Sequence, residues 1–186
     1  MFTEPYAFVK KEEGGYVDNP NDSGGATNGG VTQGTYNLYR TRKKLPIQPV
    51  RNITLKEKSE IYEGIWRDCK ADKLPAGLSL MHFDFAVNAG NKQAAKILQR
   101  SLNVPDDGII GPQTLNAASS ATDEHIIRYA ELRRTFYNGL AARRPKDKIF
   151  LKGWLLRTNR CERKALSLYH DSKKTNDATG SPNASG

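Results

Sequence analysis

Residues 13–32 read EGGYVDNPNDSGGATNGGVT, and this run decides the fold. Glycine, asparagine and aspartate crowd it, so residues 16–31 are predicted as turns with a short hairpin. Before it, Tyr6, Val9 and Glu13 fall on one helical stripe that Gly14-Gly15 closes. After it, a second helix is expected from Thr32 to about Lys44. Thr54 and Glu57 spell a T-x-x-E capping box ahead of IYEGIWRDC. Leu78–Asn88 is apolar enough for a buried helix, and Asn91 can cap another carrying Ala94, Ile97, Leu98 and Leu102. Pro112–Ala118, Asp123–Arg143 and Phe150–His170 complete the helical set. The expected fold class is therefore α+β, mainly α. A glycine-rich loop or short β-hairpin follows the first helix.

The last sixteen residues, from Asp171, hold no aromatic or branched aliphatic side chain. They cannot bury enough apolar area to offset their ordering entropy, which predicts a disordered polar tail over 171–186. The remaining chain, out of 186 residues, is of a size for one domain with a real core. A mean hydropathy of -0.68 and the lack of any long uncharged apolar run exclude a transmembrane helix. The N-terminus has no basic stretch followed by an apolar one, so no cleaved leader is expected.

Lysine and arginine number 29 against 20 acidic residues, a formal charge of +9. Such a surface attracts nucleic acid, acidic membranes or an anionic cell wall, without saying which. Cys69 and Cys161 are too few for a disulfide framework and read as buried free thiols. His82, His125 and His170 lack H-E-x-x-H or any paired spacing, so no metal and no cofactor is expected. The glycines spell neither GxxxxGK[ST] nor a strand-borne GxGxxG, which argues against a nucleotide site.

Glu13 draws attention by position. A carboxylate at a helix C-terminus faces the negative end of the macrodipole, and it shares its stripe with Tyr6 and Val9. Both settings favour the protonated form, which is what a general acid needs. The plainer reading is a partly exposed glutamate at a frayed helix end. Nine residues on, Asp22 lies among glycines, followed by Thr27. A protonated Glu facing an ionised Asp is the two-carboxylate arrangement of glycoside hydrolysis, and a threonine hydroxyl can help hold water. Gly24, Gly25, Gly29 and Gly30 permit tight turns and close backbone approach. The alternative for Asp22 is an Asx-turn.

EGGYVDNPNDSGGATNGGVT resembles the signature of glycoside hydrolase family 108, the muramidases of phage endolysins and of bacterial secretion-linked lysozymes. The likeness continues through LPAGLSLMHFDFAVNAGNKQAAKILQ, DDGIIGPQTL, RRTFYNGLAARRP and FLKGWLLR, to about residue 163. The resemblance implies a lysozyme-like catalytic domain over 1–170, including a peptidoglycan-binding-like segment over about 91–170. It implies cleavage of the β-1,4 bond between N-acetylmuramic acid and N-acetylglucosamine, for bacterial lysis. It carries the general-acid role onto Glu13 and the Asp and Thr roles onto Asp22 and Thr27, with Thr32 as an alternative threonine or an N-cap. Two departures stand out. The family usually reads Asn-Asp-Pro where this chain has Asp18-Asn19-Pro20, and Gly29 replaces a larger residue, which predicts a looser loop.

Asp84 and Asn88 share one face of the apolar helix, four residues apart. They read either as cleft-lining contacts or as a polar pair satisfied internally. With Tyr16 they are the candidate substrate-binding residues. DDGIIGPQT resembles the D-G-x-x-G-x-x-T turn of peptidoglycan-binding modules and reads here as a structural turn, with Pro112 near the first helical position. Trp66 and Trp154 are expected in the core.

The competing readings are a nucleic-acid binder, on RTRKK at 40–44 and RRPKDK at 143–148, and a peptidoglycan binder without catalysis. Glu13, Asp22 and Thr27 together favour the enzyme. The expected partner is the peptidoglycan substrate, met by a monomer with no specific nucleic acid and no membrane insertion. A holin-like pore or a secretion route would release it from the cytoplasm to the wall, in phage lysis or in cellular protein export.

Overall fold

The computed structural model describes residues 2–17 and 26–179, with side chains through residue 175. The chain is mainly helical with one small antiparallel sheet, and it divides into two compact units, 2–65 and 66 onward.

In the first unit, α1 (Thr3–Glu12) buries Val9 and ends at Glu13, whose backbone turns extended. The expected hairpin is a three-stranded sheet of very short strands: β1 (Tyr16–Val17), β2 (Thr27–Asn28) and β3 (Val31–Thr32). Tyr16 pairs with Asn28, and Thr27 pairs with both Val17 and Thr32. Gly29 and Gly30, at φ 58° and 75°, make the β2–β3 turn, where left-handed backbone suits glycine. Thr32 then caps α2 (Gln33–Arg42), its Oγ1 accepting from Thr35 N at 3.1 Å. Thr32 thus serves as an N-cap. α3 (Leu55–Asp68) opens with the expected capping box: Thr54 N donates to Glu57 Oε2 at 2.9 Å, and Glu57 N to Thr54 Oγ1 at 3.2 Å. The same glutamate accepts from Tyr36 Oη and pairs with Arg40 at 2.7 Å, which ties α2 to α3.

The second unit is a helical bundle. α4 (Leu78–Ala89) is buried almost all round and packs against α5 (Asn91–Ser101), α7 (Asp123–Arg143) and α8 (Lys148–Thr179). A helix without a polar face belongs in a core. Trp66 packs edge-on against Phe83 at 5.2 Å, as expected of a core tryptophan, whereas Trp154 is only half-buried. Cys69 and Cys161 are free and buried, and burial pushes the Cys69 thiol up to about 12.

The DDGIIG segment is a structural turn. Gln99, 1% exposed, donates to Asp107 Oδ1, the Ile109 carbonyl and Thr114 Oγ1, and accepts from Gly108 N at 2.8 Å. Pro112 then takes the first position of α6 (Pro112–Ser119). One expectation is corrected. The chain stays helical from Asp171 to Thr179 instead of ending there as a disordered tail. Elongating an existing helix costs far less than nucleating one. Serine and threonine hydroxyls also bond back to the preceding turn, Ser172 to Tyr169 O and Thr175 to Asp171 O. Residues 180–186 lie outside the described part.

Candidate active site

Glu13 stands at the end of α1, its backbone N–H bonded to Val9 O at 2.9 Å. Its carboxyl group reaches back to the β2–β3 turn. A Cβ added to Gly30 would lie 2.2 Å from Glu13 Oε2 and 2.6 Å from Tyr62 Oη. A side chain at that point would displace the Glu13 carboxyl group or the Tyr62 hydroxyl, so glycine suits position 30 for two reasons, its positive φ and the acid lodged against it. The sequence suggested close backbone approach at this glycine, and the structure sets the candidate acid itself against it.

The turn is held from α3. Tyr62 Oη donates to the Gly29 carbonyl at 2.7 Å, and Lys58 Nζ donates to Asn28 Oδ1 at 2.7 Å. Asn28 Nδ2 faces the carbonyls of Val50 and Arg51, both at 3.3 Å. Lys58 takes up the room beside Gly29: a Cβ there would stand 2.8 Å from its Nζ. Burial, followed by the charge of Lys10, holds the Lys58 ammonium below its usual range. Tyr6 stacks on Phe2 at 5.1 Å and meets Tyr62 in a tilted contact at 5.6 Å, and so links the base of α1 to the same tyrosine.

Thr27 is half-buried on the central strand, and alternation along β2 points it away from Asn28. Tyr16 is 45% exposed on β1. Asp22 lies outside the described residues, as do Asp18 and Asn19. Tyr62 was missed in the sequence, where it reads only as a core residue of the IYEGIW helix. Its contact with Gly29 spans 33 positions.

Asp84 is corrected as a substrate-binding candidate. It is fully buried, and Arg157 donates to Oδ1 through Nε at 3.0 Å and Nη2 at 2.7 Å. Arg133 Nη2 stands 2.7 Å from Oδ2, off the line of a hydrogen bond, with its guanidinium over the Phe85 and Tyr137 rings. Burial opposes ionisation, yet the two guanidiniums hold this carboxyl below the usual range. The group joins α4, α7 and α8, and with Asp84 and Arg133 both fully buried it is shut off from the surface. Asn88, in contrast, is at the surface. Its Nδ2 donates to Asp84 O at 2.6 Å, and it borders a cavity of about 240 Å³ with Phe136, Tyr137, Arg144 and Trp154. His82 is a core histidine, its Nε2 2.9 Å from the Cys69 carbonyl.

Against known proteins, the model for glycosyl hydrolase 108 matches residues 6–90, and that for a predicted peptidoglycan domain matches residues 93–159. Among solved structures, that of Brucella abortus SagA is 34% identical with a TM-score of 0.80, covering 92% of this chain and 97% of that one. No curated protein matches. Together these define a glycoside hydrolase with a lysozyme-like α+β fold whose substrate is peptidoglycan. The chain belongs to the glycosyl hydrolase 108 family.

Proposed function

We propose that the protein is an N-acetylmuramidase that cleaves the β-1,4 bond between N-acetylmuramic acid and N-acetylglucosamine. Glu13 is the general acid, protonating the departing glycosidic oxygen. Asp22 positions water or steadies the oxocarbenium-like centre, and Thr27 helps hold that water. Tyr16 and Asn88 contact the glycan. The observation that carries this reading is the Glu13 carboxyl group lying against Gly30 beside Tyr62, within the span matched by the family model. An acid lodged against backbone and an adjoining helix has little freedom to relax away from its proton acceptor.

The surrounding biology is phage or prophage lysis. The chain accumulates in the cytoplasm and reaches the periplasm or wall through a holin-like pore or a secretion route. Its formal charge of +9 draws it to the anionic wall by a salt-sensitive association. Digestion of purified peptidoglycan with mass spectrometry of the products tests the bond. Fragments ending in reducing N-acetylmuramic acid are expected; fragments ending in reducing N-acetylglucosamine would reassign the enzyme to the other glycosidic bond.

A further inference from the structure

The basic run at 143–152 has no part in the chemistry of Glu13, and its surroundings are unusual. Ile149 is 78% exposed, Phe150 49% and Leu156 46%. Ile149, Gly153 and Leu156 are spaced i, i+4, i+7 on α8, so they form one outward stripe over the first turns of the helix. Phe150 widens it on one side, its ring 6.0 Å from Trp154. Single exposed apolar side chains are ordinary, but three large ones within two turns of one helix, with only Gly153 between Ile149 and Leu156, mark a surface that meets something.

Arg143, Arg144, Lys146, Lys148 and Lys152 lie in the same stretch of chain, and all five are exposed. Among the described residues none of them makes an ion pair, and Asp147 is the one acidic residue in the segment. Free cations around protruding Ile and Phe suit an anionic lipid surface: lysine and arginine meet the headgroups while the apolar side chains enter the acyl boundary. A polyanion such as nucleic acid or wall polymer offers nothing to Ile149. No helix among the described residues is long and apolar enough to cross a membrane, so the association is peripheral.

We propose that the start of α8 is a membrane-docking surface, with Ile149, Phe150 and Leu156 entering the interface of an anionic bilayer and the flanking cations selecting it. This does not depend on the muramidase reading.

Co-sedimentation of the full chain with phosphatidylethanolamine–phosphatidylglycerol vesicles, against phosphatidylcholine vesicles, tests it. Binding to the anionic vesicles alone is expected, weakened about tenfold or more in I149S/F150S, whose exposed positions leave the melting curve unchanged. In a separate F150W variant, those vesicles should shift the tryptophan emission to the blue. Absence of binding, or equal binding by I149S/F150S without a blue shift in F150W, would overturn the proposal. The second result would leave a surface that reads charge alone. Soluble glycan fragments as a parallel substrate keep the two claims apart, since docking can fail while cleavage stands, and the reverse.

Discussion

The Glu13 carboxyl group occupies the space that a side chain at Gly30 would need: an added Cβ falls 2.2 Å from Oε2. Acid and turn are thus built as one unit. A helix end supplies the group, and a left-handed glycine at φ 75° makes room for it. The sheet is only two residues deep per strand, too short to fix a catalytic geometry unaided. Tyr62 and Lys58, both on α3, supply the missing rigidity.

Gly30→Ala places a methyl group on that carboxyl group and a Cβ on left-handed backbone. It should cost about 1–3 kcal/mol of stability and lower kcat at least tenfold. Chemical denaturation and initial rates on peptidoglycan check both. A fully active alanine variant would show that the acid need not sit there.

Tyr62→Phe removes the hydroxyl that holds Gly29 O but keeps the ring against Tyr6. A loss of about 1 kcal/mol in unfolding free energy is expected. It should come with a fall in kcat larger than any rise in KM. A pure KM effect would mean that the tyrosine touches substrate and does not support the turn.

Asp84→Asn leaves two guanidiniums without their shared carboxylate in the interior. A destabilisation of about 3–5 kcal/mol is expected, read from urea unfolding. A stable variant with weaker substrate binding would restore Asp84 as a ligand contact.

Tyr62 and Asp84 show where the sequence is silent. Helix ends are legible because their determinants are local: Thr54 and Glu57 are three positions apart, and Pro112 announces its own place. Glu13 could be picked out from its stripe and its glycines. Asp84, however, is joined to Arg157 across 73 positions, and nothing at either site names the other. Read locally, an aspartate on an apolar helix fits a ligand and an ion pair equally well. The extension of α8 past Asp171 was missed because composition reports the lack of a core, not the ease of lengthening a helix already formed.

Burial pushes the His82 imidazole down to about 4 from its ordinary 6.5. The unfolded chain therefore binds a proton that the folded chain refuses between those values. The stability this contributes is complete above about pH 6.5 and is lost as pH falls towards 4, a total of roughly 3 kcal/mol. Melting temperature measured across that range should fall, and His82→Gln should flatten the fall. An unchanged profile in the variant would place the acid sensitivity in other groups.

The role of Glu13 is tested most directly by turnover of purified peptidoglycan with Glu13→Gln beside the parent protein, both shown to melt alike. Glutamine keeps the shape of the side chain and cannot deliver the proton, so release of reducing ends should drop by about a hundredfold or more. A folded Glu13→Gln protein that still releases reducing ends near the parent rate would remove Glu13 from the chemistry.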